Sequence, residues 1–158
     1  MRKQIIKEET QGVSPDEPRD WLDLEHLVQV ELTSEDAEHT IESALVPDTG
    51  VGWHAQSPGK QIIRLLFDTP QRISRIQLVF KEDALERTQE FVLRWSRGTV
   101  EPPREIVRQQ YNFSPPGNTR ELEDYTVDLD VLTILELEII PDISGGSARA
   151  SLGQLRLA

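Results

Sequence analysis

The side chains best suited to holding a ligand are His54, Arg104, Arg108, Tyr111, Phe113 and Asn118. His54 follows Trp53 in a turn-rich stretch, so an imidazole donor and acceptor sit beside an indole. Arg104 and Arg108 offer planar, paired donors that match a carboxylate or two neighbouring hydroxyls. Tyr111 and Phe113 run into Ser114-Pro115-Pro116-Gly117-Asn118, an aromatic strand end entering turn chemistry. Aromatic faces with a few fixed polar groups are what a saccharide or peptide site needs. The plainer reading of Tyr111 and Phe113 is ordinary packing, and that of Trp53 is a buried anchor.

Catalytic signatures are missing. There is no Gly-x-Ser-x-Gly elbow. Gly50-Val51-Gly52 neither follows a strand nor opens a helix, so it is not a dinucleotide fingerprint. Ser57-Pro58-Gly59-Lys60-Gln61 lacks the first glycine and the Ser/Thr of a phosphate loop. His26, His39 and His54 fit no zinc-ligand spacing. Cysteine is absent, which removes disulfides and thiolate chemistry. Carboxylates are plentiful, and nothing singles out a pair for acid–base work. The expectation is a protein that is not an enzyme and needs no cofactor.

The formal net charge of -11 argues against nucleic acid as the main partner, because phosphate backbones demand a basic surface. Arg94, Arg97, Arg104 and Arg108 are close in sequence and read either as a local basic patch or, more plainly, as arginines scattered over solvated strand faces. Asp128, Asp130, Glu136 and Glu138 read either as a patch for a basic partner or cation, or as a solvated face that blocks edge aggregation. If the two runs carrying them pair, a register offset or arginines from another strand would relieve the repulsion. No apolar run approaches the roughly 20 residues that span a bilayer. The start Met1-Arg2-Lys3 has no apolar segment behind it, so cytoplasmic residence is expected.

Stepping through the chain, residues 1–20 are polar and turn-prone and read as a flexible arm. Residues 21–158 then read as a single domain with a dominant period of two. Val28, Val30 and Leu32 share one face; so do Ile63, Leu65 and Phe67; Ile76, Leu78 and Phe80; and Phe91, Leu93 and Trp95. Tyr125, Val127 and Leu129 alternate with Thr126 and Asp128, and Leu135, Leu137 and Ile139 alternate with glutamates. Leu155 and Leu157 close the series. Such alternation marks strands with one buried and one wet face. Asp68-Thr69-Pro70 separates two of the runs, and Pro115-Pro116-Gly117 and Ser144-Gly145-Gly146 separate others. The fold class is therefore all-β, an antiparallel β-sandwich of jelly-roll type with at most one short helix. That helix falls within residues 34–45 behind a Thr33/Asp36 cap, and a loop reading fits this segment equally well.

The order of these elements resembles the discoidin family, also called the coagulation-factor type C or galactose-binding-like domain. Leu32-Thr33-Ser34-Glu35 is similar to its first strand and turn, and Ala44-Leu45 through Gly52-Trp53 to its segment leading into a tryptophan. Residues 62–67, Thr69-Pro70 and residues 72–78 are similar to its paired central strands. Gly145-Gly146-Ser147 with residues 152–157 is similar to its last loop and closing strand. The resemblance implies a non-catalytic binding module, with the ligand held by loops at one end of the sandwich. A carbohydrate ligand is expected from that likeness. The alternative is an intracellular adaptor that binds a protein by the same loops or an acidic face, and a hydrolase comes third. The family's calcium site would fall on Asp48, Thr49 and the closing strand. Gln154 stands there where an acid is expected, and a neutral amide brings no charge to a calcium ion.

Overall fold

The computed structural model describes residues 21–47, 50–98 and 101–158. The predicted arm at residues 1–20 lies outside the described residues, as do Asp48 and Thr49. The elements run α1 Leu24–Leu27, β1 Val28–Leu32, α2 Glu42–Leu45, β2 Trp53–His54, β3 Gln61–Lys81, β4 Arg87–Ser96, β5 Arg104–Phe113, β6 Arg120–Ile140, β7 Ser151–Leu152 and β8 Gln154–Leu157.

Two strands of 21 residues each, β3 and β6, organise the molecule. They pair with one another over nearly their whole length, from Gln61 opposite Ile139 to Lys81 opposite Arg120. The first half of β3 and the second half of β6 lie in one layer with β1, β4 and β5. The second half of β3 and the first half of β6 lie in the other, with β8 beside β3. All pairings are antiparallel. β2 and β7 form a separate two-stranded ribbon, with Trp53 opposite Leu152.

This corrects two sequence expectations. The runs at 61–67 and 72–80 are one strand, not two joined by a turn. The runs at 125–130 and 135–139 are likewise one strand. The corner sits where the register shifts, between Leu66 and Arg75 on β3. Pro70 falls in this gap, where no ladder partner requires an N–H. The buried face of β3 also changes phase there, from Ile63, Leu65, Phe67 and Ile73 to Ile76, Leu78 and Phe80. An extra residue inserted into one strand produces that phase change and bends the strand.

The core lies between the layers and draws on both. Ile63, Ile76, Leu78, Phe80, Phe91, Leu93, Leu137, Ile139, Leu155 and Leu157 are all buried in one cluster, with Phe80 and Phe91 rings 5.2 Å apart. The alternation in the sequence thus marks the core face of nearly every strand. The helices are single turns. α2 is the C-terminal remnant of the helix expected at 34–45, and its cap is neither Thr33 nor Asp36. Glu35 instead accepts the Ile41 N–H through Oε1 at 2.9 Å. α1 was not expected, and the Trp21-Leu22 lead-in before it is anchored. Leu22 N–H donates to Leu157 O at 2.7 Å, and the Trp21 ring sits under the guanidinium of Arg75 at 5.0 Å.

Four of the acidic residues of β6, Asp128, Asp130, Glu136 and Glu138, are matched by arginines from β3, from β4 and from Arg97 just after it. Glu136, nearly buried at 8% exposure, accepts from Arg64 Nε at 2.8 Å and from Arg94 Nη1 at 3.0 Å. Arg94 also reaches Glu138, Arg97 reaches Asp130, and Arg72 reaches Asp128. The arginine pairs overcome the cost of burying Glu136 and hold its carboxyl below the usual range. Glu136→Ala is expected to destabilise the fold by about 1–3 kcal/mol, since it removes two charge-assisted hydrogen bonds and leaves Arg64 with Glu31 at 3.6 Å and Arg94 with Glu138 at 3.2 Å. Chemical denaturation at neutral pH measures this. The loss should shrink as the pH falls through the carboxylate range, where the wild-type group gains its proton.

Candidate functional site

At the end of the sandwich where β3 ends and β6 begins, the loops leave an open cavity of about 260 Å³. Ser43, Val51, His54, Lys81, Arg120, Ser151 and Gln154 are among the residues lining it. Trp53 forms its base. The indole is 0% exposed, and its Nε1–H donates to Ser34 O at 3.1 Å. Trp53 is therefore a structural anchor, and its ring face is closed to a ligand. The approach to Trp53 depends on Gly52, whose φ of 76° favours glycine. A Cβ on Gly52 would also lie 2.8 Å from Leu152 O, in the backbone of the paired ribbon. Gly52→Ala is expected to cost about 1–3 kcal/mol from the backbone conformation alone. Its unfolding midpoint in urea, with near-ultraviolet circular dichroism reporting on Trp53, checks this.

His54 is fixed on several sides. Its N–H donates to His39 O at 3.1 Å, and its carbonyl accepts from the Asp36 N–H at 2.8 Å. The rings of His54 and His39 stack at 4.0 Å with a 12° tilt. Burial, and then the neighbouring His39, lower the His54 pKa below the ordinary imidazole value, against the pull of Asp36 and Glu82. A neutral ring can both donate and accept at the cavity wall.

The other predicted ligand residues do not gather here. Arg104 and Arg108 sit on β5, where Arg104 reaches Glu101 at 3.9 Å and Arg108 bonds Glu105 at 3.0 Å and Glu90 at 3.3 Å. Their charges are already paired, as scattered surface arginines on strands would be. Tyr111 is half-buried, seven positions along β5 from Arg104, or roughly 23 Å. Its hydroxyl donates to Arg120 O at 2.9 Å. Phe113 is fully buried beneath the Arg87 guanidinium at 4.8 Å, so it packs rather than presenting a face. Asn118 is exposed in the turn, where its backbone bridges to Ser114. Of the predicted set, His54 alone lines the cavity.

The calcium donors suggested by the sequence fit poorly among the described residues. Oriented with its oxygen toward Arg156, the Gln154 amide accepts from Nε at 2.8 Å and Nη2 at 2.6 Å. Its oxygen is then spent on a cation, and its nitrogen, a donor, is what remains. Lys81 and Arg120 on the same cavity add positive charge where a calcium ion needs negative ligands.

A buried polar cluster that the sequence reading missed lies behind this end. Arg87 donates to Glu82 Oε1 at 2.7 Å, Pro141 O at 2.7 Å and Gln89 Oε1 at 3.3 Å. Gln89 Nε2 donates to Glu121 Oε1 at 3.1 Å, and Glu121 Oε2 has no hydrogen-bond partner among the described residues. Burial pushes the Glu121 carboxyl up to about 9, with Glu123 pushing the same way and the Gln89 bond opposing. The alternation of Tyr125, Val127 and Leu129 carried this signal, because counting back by twos puts Glu121 and Glu123 on the inner face. The folded state keeps the Glu121 proton across a range in which the unfolded chain has lost it. Folding is therefore opposed more strongly as the pH rises from about 5 to about 9. Glu121→Gln is expected to match the wild type near the lower limit and to melt progressively higher than it toward the upper one. Thermal melts across that range test it.

No protein-family model matches the sequence, and no curated protein matches it either. Solved structures do match. A Clostridium perfringens family 32 carbohydrate-binding module, in complex with GalNAc-beta-1,3-galactose, superposes with a TM-score of 0.65 at 16% identity, over 87% of this chain and 98% of that one. A pectin-binding carbohydrate-binding module gives 0.60 at 16% identity, over 83% and 89%. A Ruminococcus gnavus fucosidase gives 0.63 at 8% identity, over 86% of this chain and 26% of that chain. The fold is therefore the galactose-binding-like, discoidin-type jelly roll anticipated from the order of elements.

Proposed function

We propose that this chain is a non-catalytic carbohydrate-binding module whose ligand sits in the loop-end cavity beside His54. The observation that carries this reading is an open, polar cavity at the loop end of a fold that several solved structures use to bind sugars. Its walls offer an imidazole, two hydroxyls and an amide, which suit the hydroxyls of a saccharide. Lys81 and Arg120 add two cationic groups to the described lining. Fold likeness alone does not assign specificity, because function resides in the site.

A broad saccharide panel screened by thermal shift, followed by calorimetry on the responders, tests the proposal. At least one saccharide is expected to raise the melting temperature without being hydrolysed. His54→Ala should weaken that binding about tenfold, the loss of roughly one well-placed hydrogen bond. No response across neutral and acidic saccharides overturns the proposal, and so does turnover of the bound sugar.

A further inference from the structure

Charged residues directly opposite one another across the strands are complementary at Glu31 and Arg64, Arg64 and Glu136, Arg94 and Glu136, and Arg94 and Glu105. At the cavity the rule fails. Lys81 stands directly opposite Arg120 at the last rung of the β3–β6 ladder. Like charges opposed in this way destabilise a strand pair. Among the described residues neither makes an ion pair, in a chain whose net charge is -11. The adjacent carboxylate, Glu82, is committed elsewhere: to Arg87 Nε at 2.7 Å and to the amides of Ala84 and Leu85.

The backbone that carries the two cations is also held in place. Ser151 Oγ donates to Lys81 O at 3.3 Å, and Tyr111 OH donates to Arg120 O at 2.9 Å. Both backbones are tied down, and both side chains line the cavity. With its oxygen engaged by Arg156, Gln154 adds a donor amide to the same wall. A point-charge ammonium and a planar guanidinium at neighbouring positions, beside an amide donor, match the oxygens of one carboxylate.

We propose that Lys81 and Arg120 form an anion subsite that takes the carboxylate of an acidic sugar, so that the ligand is a uronate-containing saccharide. This rests on the carbohydrate reading above and specifies its ligand class. The bound carboxylate would cancel the repulsion between the two cations, so the opposition that costs stability in the free protein becomes affinity in the complex.

The test is calorimetry with trigalacturonate and with its fully methyl-esterified form, which is the same saccharide without the charge. The acid is expected to bind at least about tenfold more tightly than the ester, and its advantage should decline with added salt. Lys81→Gln and Arg120→Gln should each remove most of that advantage, while Arg120→Lys retains part of it. Both residues are exposed, so the variants are expected to fold, and melting curves verify this. Equal binding of acid and ester, unchanged in the variants, overturns the carboxylate subsite and leaves the carbohydrate reading standing. Preference for a sulfated trisaccharide or for inorganic phosphate over trigalacturonate overturns the uronate assignment. Binding of neither trisaccharide, nor of any member of the wider panel, overturns both.

Discussion

The structure depends on one backbone ladder. β3 and β6 pair across the corner of the sandwich, so the same two strands supply the middle of both layers. Every other strand in the larger sheet is attached to one of them: β1 and β8 to β3, and β4 to β6, with β5 following on β4. A ladder that crosses from layer to layer must bend, and it bends where Asp68-Thr69-Pro70 interrupts the regular register. The loop-end cavity is fixed by the same ladder, because its two cations occupy the last rung.

The ladder also explains the polar interior. The inner face of β6 begins with Glu121 and Glu123 before it turns apolar at Tyr125 and Val127. On the facing layer β4 begins with Arg87 and Gln89 before Phe91. The two polar starts meet at the same end of the sandwich, where the Gln89–Glu121 hydrogen bond between them replaces lost water. At this end of the core, amides and charged groups are packed among the buried rings of Phe80, Phe91 and Phe113. The apolar groups set stability, and the polar groups support the loops and make that stability sensitive to pH.

Much of this was legible in the sequence. Alternation alone placed Ile63, Leu78, Phe91, Leu137 and Leu155 in the core, since a half-buried strand permits few other patterns. The order of strands and turn chemistry resembled the discoidin family, and the fold bears this out. The division of β3 was misread because a change of phase with Pro70 nearby signals either a turn or a bulge. Local sequence does not distinguish these when the deciding partner is far along the chain. The same limit hid the cavity. Lys81 and Arg120 are unremarkable alone, and they become a feature through a register that pairs distant segments. Phe113 followed its plainer reading, because the packing of Arg87 over its ring closes it off.

The last residues have a practical geometry of their own. Ala158 exchanges backbone hydrogen bonds with Arg75, and Leu22 is tied to Leu157, so both segments lie beside the corner half of β3. Lys81 is six positions further along that strand, or roughly 20 Å away. A surface tether or fluorescent tag joined after Ala158 therefore leaves the protein at the corner half of β3, away from Lys81 along the strand. The protein can be immobilised on a sensor or displayed on a particle in that orientation, each copy presenting the same face to a polysaccharide in solution.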